Sequence, residues 1–232
     1  MKLLAFDTST EAMSIAVGDG ARMWEHTGAG GAQASSTLIA SIMRLLREAQ
    51  MSLRELDAIA FGRGPGSFTG LRTACSVAQG LAFGAGLRVL PIDTLLALAE
   101  NARHTSGRLR IAAALDARMD EMYVARYDFA SAGAAPDAEP ELVSPDHFQL
   151  DPGWALAGNV MTPYAQRLQG IGAADFIAAL PTAAAMLRLA PAMLAAGHAV
   201  DAAGALPRYI RDKVAKTTSE RAAERAQQAS AT

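Results

Sequence analysis

The sequence predicts an α/β fold, and three observations carry that prediction. Short apolar runs of strand length alternate with longer segments whose apolar residues recur at helical spacing. At 232 residues the chain is long enough for one large domain or two small ones. Shifted by 109 positions, Asp7 falls on Asp116, Glu11 on Asp120, Met13 on Met122 and Ile15 on Val124, each inside an apolar run, an acidic turn and a second apolar run. That match suggests one unit used twice, although so short a match also arises by chance.

The first half reads in order. KLLAF and AMSIAVG are strands joined by the polar turn DTST, and RMWEHT is a candidate third strand. Residues Ser36 to Ala49 form a helix, with Leu38, Ile39, Ile42, Met43, Leu45 and Leu46 on its apolar stripe. LDAIAF is a strand, and the glycine-rich AFGRGPGSFTGLR (60–72) leads into a helix over Leu71 to Phe83. RVLPI is a further strand and Thr94 to Arg103 a helix that ends near HTSG.

The second half opens on RIAAALDARMDEMYVARY, two apolar runs around an acidic turn. The low-complexity stretch ASAGAAPDAEP (130–140) reads as a mobile hairpin tip before a strand at ELV. Trp154 to Ala157 reads as a last strand, followed by helices over Thr162 to Leu168 and Thr182 to Ala196, the latter kinked at Pro191. Beyond Thr217 the chain lacks an apolar stripe and is expected to fray.

Composition narrows the function. Apolar types make up 51% of residues against 19% charged, which excludes wholesale disorder. A formal charge of −2 lacks the basic footprint of a protein that grips nucleic acid unaided. The single cysteine, Cys75, fits a reducing compartment. The four apolar residues Leu3 to Phe6 are too few for a signal-peptide core, and the Ala-rich stretch 178–200 is broken by Pro181, Arg188 and Pro191. A cytoplasmic protein with no membrane association is expected.

The glycine loop is the strongest local signal. No Lys lies between Phe61 and Thr73, so it is not a Walker A loop. Its spacing also misses the dinucleotide fingerprint and the nucleophile elbow. Two readings of this corner stand. In one, Gly62, Gly64, Pro65, Gly66 and Gly70 build a rigid, close-packed turn with Thr69 as N-cap of the following helix. In the other, Arg63 and Arg72 contact an anion or a partner, Arg72 needing compensation in a first helical turn. The small residues Ser76, Gly80 and Gly84 admit close approach of another helix, belonging to this chain or to a second subunit.

Asp7, Thr8 and Ser9, with Asp116 in the second half, are the weak candidates for holding a phosphate or metal ion; a hairpin turn with hydroxyl-to-backbone bonds is the competing reading. His26, His104, His147 and His198 have no metal-ligand spacing. Cys75 has no charged neighbour within two residues and reads as packing rather than nucleophile.

Together LAFDTST, GRGPGSFTGLR (62–72), LDARMDEMY (115–123) and PRYIRD (207–212) resemble the TsaB (YeaZ) family, a subunit of the bacterial machinery that makes threonylcarbamoyladenosine in tRNAs reading codons that begin with A. The resemblance spans almost the whole chain. It implies an actin-like fold of two RNase H-like halves, with mixed sheets flanked by helices. These would be residues 1–106 and a smaller 107–217, followed by a polar tail, 218–232. It implies a shortened, non-catalytic relative of the subunit TsaD, whose H-x-x-x-H metal helix is absent here. Only the lone Gly158 stands where actin-like ATPases usually carry a glycine pair.

The resemblance further implies no cofactor in this subunit, with ATP and metal on its partners. Those partners would be TsaD and the ATPase TsaE, with a homodimer when the chain is alone and tRNA met only through the complex. Carried over, the contact surface lies on the two helices of the first half, at Leu38, Ile42, Leu45, Leu71, Arg72, Cys75 and Ala78, with Cys75 and Ala78 facing outward. One departure is ASSTLIA (34–40), where Ala34 and Ala40 occupy positions at which the family commonly has His and Pro. The rival functions are a nucleotide-dependent threonylcarbamoyl transferase or ATPase in its own right and, less favoured, a peptidase.

Overall fold

The computed structural model describes residues 1–130 and 139–211. The first half contributes strands β1 (Leu3–Asp7), β2 (Ala12–Gly18), β3 (Met23–Ala29), β4 (Ala58–Gly64) and β5 (Arg88–Asp93), with helices α1 (Ala34–Glu48), α2 (Phe68–Ala85) and α3 (Thr94–Ser106). The second contributes β6 (Arg110–Arg118), β7 (Glu121–Asp128), β8 (Glu141–Val143), β9 (Ala155–Gly158) and β10 (Phe176–Ala178), with α4 (Met161–Tyr164) and α5 (Ala183–Ala195).

Each half folds into a mixed sheet of five strands, in the orders β3-β2-β1-β4-β5 and β8-β7-β6-β9-β10. In both, the first two pairings are antiparallel and the last two parallel. The second sheet therefore repeats the first strand for strand. The internal match of the sequence is a duplicated topology, with Asp7 closing β1 and Asp116 near the end of β6.

Strand periodicity sorts the core. In β1, Leu4 and Phe6 face α1 and α2 and pack with Ile15, Leu38, Ile42, Leu45 and Ala78, while Leu3 and Ala5 face the other way, toward the second half. The helices between the two sheets are exchanged: α3, from the first half, packs on β6, β7 and β9, while α5, from the second, packs on β1, β2 and β4. Both helices are rich in alanine where they meet the sheets, which lets two layers of strands approach one shared core. Within it Glu100 of α3 is buried and bonds Arg103 and, from α5, Arg188 at 2.8 Å.

Several boundaries differ from those the sequence suggests. The helix expected over Thr162 to Leu168 is a single turn, α4, followed by turns. Trp154 to Ala157 is not the last strand: β10 lies beyond it, three residues whose burial is too partial to leave a period. Helix α2 begins at Phe68, with Ser67 and not Thr69 at its N-cap. Pro191 falls inside α5. Most of the 130–140 loop and the whole tail beyond Thr217 lie outside the described residues.

Candidate functional site

The turn after β1 is locked from both sides. Asp7 is fully buried, and its Oδ1 accepts from the Ser9 amide (2.8 Å) and the Ser9 hydroxyl (2.6 Å). Its Oδ2 has no hydrogen-bond partner. Burial pushes the carboxyl up to about 6, and the Ser9 bonds pull it back only in part. The Thr8 hydroxyl donates to the Gly70 carbonyl at 2.7 Å, and the Ser9 carbonyl accepts from the Ser67 amide at 2.7 Å. The Thr8 side chain and the Ser9 backbone are thus spent on holding the glycine loop, while the Ser9 hydroxyl is spent on Asp7 within the turn.

That loop lies so close to the turn that side chains have no room. A Cβ on Gly62 would sit 1.8 Å from Asp7 Oδ2, and one on Gly70 would sit 1.9 Å from the Thr8 carbonyl oxygen. A Cβ on Gly64 or Gly66 would lie 2.6 Å from the carbonyl oxygen of Arg208 or Ser9 respectively. Pro65 lines the adjoining cleft. At these four glycines the corner leaves no room for a side chain. Its arginines are internally engaged: Arg63 bonds the buried Asp93 at 2.5 Å, while Arg72 stacks 3.8 Å over the Phe68 ring and donates to the Tyr209 hydroxyl. The π face and phenol oxygen compensate Arg72 at the helix start.

Between the halves opens a cleft of about 680 Å³. One wall carries Ser9, Glu11, Gly66 and Ser67, the other Asp116, Arg118 and Asn159, and residues 208–211 close the rim. Of the weak candidates, Ser9 from the first half and Asp116 from the second reach this space, and Asp116 is the more extensively bonded. It accepts from the Tyr164 hydroxyl (2.8 Å) and the Arg118 amide (2.8 Å) and pairs with the Arg118 guanidinium. Its own amide donates to Asn159 Oδ1. Desolvation, then the hydrogen bond to Asp116, pushes the Tyr164 phenol up to about 12. Asp7 is not among the lining residues, so the two aspartates that the sequence pairs by register do not meet in the cleft. Among the described residues no group of three or more His, Cys, Asp or Glu side chains is placed to hold a metal ion.

Several contributors escaped sequence reasoning. Asp93, Tyr164, Asn159, Arg208, Tyr209 and Arg211 stand at a strand end, in the single-turn α4 and in coil, with no periodic signal. Only PRYIRD, as a matched segment, points to the last three.

The expected contact surface needs correction. Leu38, Ile42, Leu45, Leu71, Cys75 and Ala78 are all buried in this chain's own core, because they form the stripes by which α1 and α2 sit on the first sheet. Cys75 and Ala78 do not face outward. The Cys75 thiol donates to the Ala205 carbonyl, and burial pushes its pKa up, the reverse of an activated nucleophile. The Ala78 position is fully enclosed. Of the residues expected at the contact, Arg72 alone is exposed.

Among what α1 and α2 present outward, beside charged residues such as Arg44, Arg47 and Glu48, are three large apolar side chains. Ile39 is 52% exposed, Met43 38% and Phe83 85%, and a Cβ on Gly80 or Gly84 would meet nothing within 4 Å. The row of Ser76, Gly80 and Gly84 is not consumed by packing inside this chain. Ala40 lies on the exposed side of α1 and Ala34 is buried at its start. Among the described residues no helix is long and apolar enough to cross a membrane.

Comparison with known proteins agrees with this architecture. The family model for TsaD, tRNA N6-adenosine threonylcarbamoyltransferase, matches residues 30–219. The tRNA threonylcarbamoyladenosine biosynthesis protein TsaB of Escherichia coli K12 is 35% identical over 223 residues, covering 93% of this chain and 96% of that protein. The TsaB of Haemophilus influenzae is likewise 35% identical, over 92% of this chain and 95% of its own. The solved structure of YeaZ from Pseudomonas aeruginosa superposes with a TM-score of 0.81 at 36% identity, covering 90% of this chain and 99% of that one. With a fold of two repeated α/β halves and relatives matched along nearly their whole length, the chain belongs to the TsaB (YeaZ) family.

Proposed function

We propose that this chain is a non-catalytic subunit of the machinery that makes threonylcarbamoyladenosine in tRNA. In this reading it binds and stabilises a TsaD-type catalytic subunit and supports assembly with a TsaE-type ATPase. ATP and metal belong to those partners, tRNA is met only through the complex, and the chain pairs with itself when alone in the cytoplasm.

The observation that carries the reading is the outward face of α1 and α2. Phe83, Ile39 and Met43 leave large apolar surface in water, and Gly80 and Gly84 leave backbone open beside it. An aliphatic and aromatic surface of this kind suits protein association. The engaged state of Asp7, Thr8 and Ser9 supports the non-catalytic part, since the Thr8 hydroxyl is bound to the glycine loop and the Ser9 hydroxyl to the buried Asp7, which leaves neither free to orient a phosphate. The cleft and Asp116 favour the rival reading of a nucleotide-dependent enzyme. The enclosed thiol of Cys75 weighs against a peptidase.

The test is co-purification with TsaD, followed by the tRNA modification assay with each subunit left out in turn. Phe83→Arg and Met43→Arg, at exposed positions, should leave the fold within about 0.5 kcal/mol of wild type. Both should abolish TsaD association, because an unpaired charge buried at an interface is costly. Normal TsaD binding by both variants would sink the surface assignment. Micromolar ATP affinity of the isolated chain by calorimetry would favour the enzyme reading instead.

A further inference from the structure

After α5 the chain does not leave the molecule but runs back over the first half. Val200 exchanges backbone hydrogen bonds of 2.8 and 2.9 Å with Val89 at the edge of the first sheet. The buried Ala205 offers its carbonyl to Cys75 and Gln79 of α2. Arg208 donates its amide to the Arg63 carbonyl at 2.7 Å and its guanidinium to Asp93 at 3.0 Å. The Tyr209 ring lies 5.7 Å from that of Phe68. The next side chain but one then grips the opposite half: Arg211 donates to the Arg118 carbonyl (3.1 Å) and to the Glu121 carboxylate (2.5 Å) at the β6–β7 turn.

Residues 208 to 211 therefore hold both walls of the cleft and line its rim. The shared core of α3 and α5 joins the halves at the back, and this segment joins them across the mouth. We propose that residues 205–211 are a latch that fixes the angle between the two halves, with Arg208 and Arg211 as its two grips. Exposed ion pairs contribute little to overall stability. These two side chains are mostly shielded from solvent, at 22% and 13% exposure, and each has more than one acceptor. Their effect falls on the opening of the cleft, the one motion that separates their partners.

Spin labels on Thr69→Cys and Gln166→Cys, exposed positions in the two halves, report that opening by pulsed electron paramagnetic resonance. Cys75→Ser keeps a donor to Ala205 and removes the native thiol. The parent should give one narrow distance distribution. Arg208→Ala with Arg211→Ala should broaden it and shift it to longer distances, and Arg211→Lys should retain more of the parent distribution than Arg211→Ala. An unchanged distribution in the double variant overturns the latch. If the double variant does not fold, Arg211→Ala alone decides, because its partner Glu121 is partly exposed and tolerates the loss.

Discussion

Gly70 and Gly80 stand about three turns apart on one helix, and both read in the sequence as small residues that permit close approach. At Gly70 the approach is made within the chain: the β1–β2 turn rests on the helix, and a methyl group has no space. At Gly80 nothing approaches, and the backbone faces open solvent beside Phe83. The difference shows that composition alone does not say what a glycine is for. One end of α2 is a closed corner that consumes Asp7, Thr8 and Ser9, and the other is an unpartnered face.

The largest expected effect comes from filling the closed end. Gly70→Ala would ordinarily gain helix propensity, by up to about 1 kcal/mol. Here the new Cβ meets the backbone carbonyl of Thr8, which cannot rotate away, and the bond from the Thr8 hydroxyl is disturbed with it. A net loss of about 3 kcal/mol or more is expected, the upper end of overpacking. Urea denaturation measures it, and a variant as stable as wild type would show that the corner is looser than its distances indicate.

The pH dependence of the same corner follows from Asp7. Its folded pKa, about 6, lies above the ordinary 3.8, so the folded chain holds this proton more tightly than the unfolded chain. The associated stability is fully present below pH 3.8 and is lost as pH rises through about 6. Its size is on the order of 3 kcal/mol, from the free energy of a pKa difference. Asp7→Asn removes the titration, so its stability relative to wild type should rise by that amount across the same window. Denaturation at a series of pH values checks the sign, and a variant keeping the wild-type slope would remove Asp7 as its source.

Much of this architecture is legible in the chain. The apolar runs of β1, β2, β4 and β6 and the stripe of α1 are strong because these strands are buried on both faces and the helix on one, and such burial writes an unbroken run or a helical period into the sequence. The duplication shows through Asp7 and Asp116 because one closes its strand and the other stands near the end of its strand, each before a matching turn. What sequence leaves open is direction. The stripe Leu38, Ile42, Leu45 marks an apolar face without saying whether sheet or partner covers it, and here the sheet does. The contacts of Asp93 with Arg63 and Arg208 join residues far apart in the chain by single side chains, which impose no repeat. β10 fails to register because three residues, two half-buried and one exposed, are too few for a period.

The smallest expected effect lies at the open end and decides what the small-residue row is for. Gly80→Ala places a methyl group in empty space, so only the backbone term remains in the isolated chain. Alanine restricts the unfolded chain and favours the helix, and a gain of about 0.5–1 kcal/mol is expected. If a second helix seats on this face, the same methyl group intrudes on it. The variant should then be more stable alone yet bind TsaD, or a second copy of itself, less tightly. Denaturation and sedimentation on one sample separate these terms. A gain in stability with unaltered association would mean that the partner rests on Phe83 and Met43 and leaves the glycine row in water. A loss of stability would mean that the row is packed within the chain after all, and the contrast with Gly70 would fall.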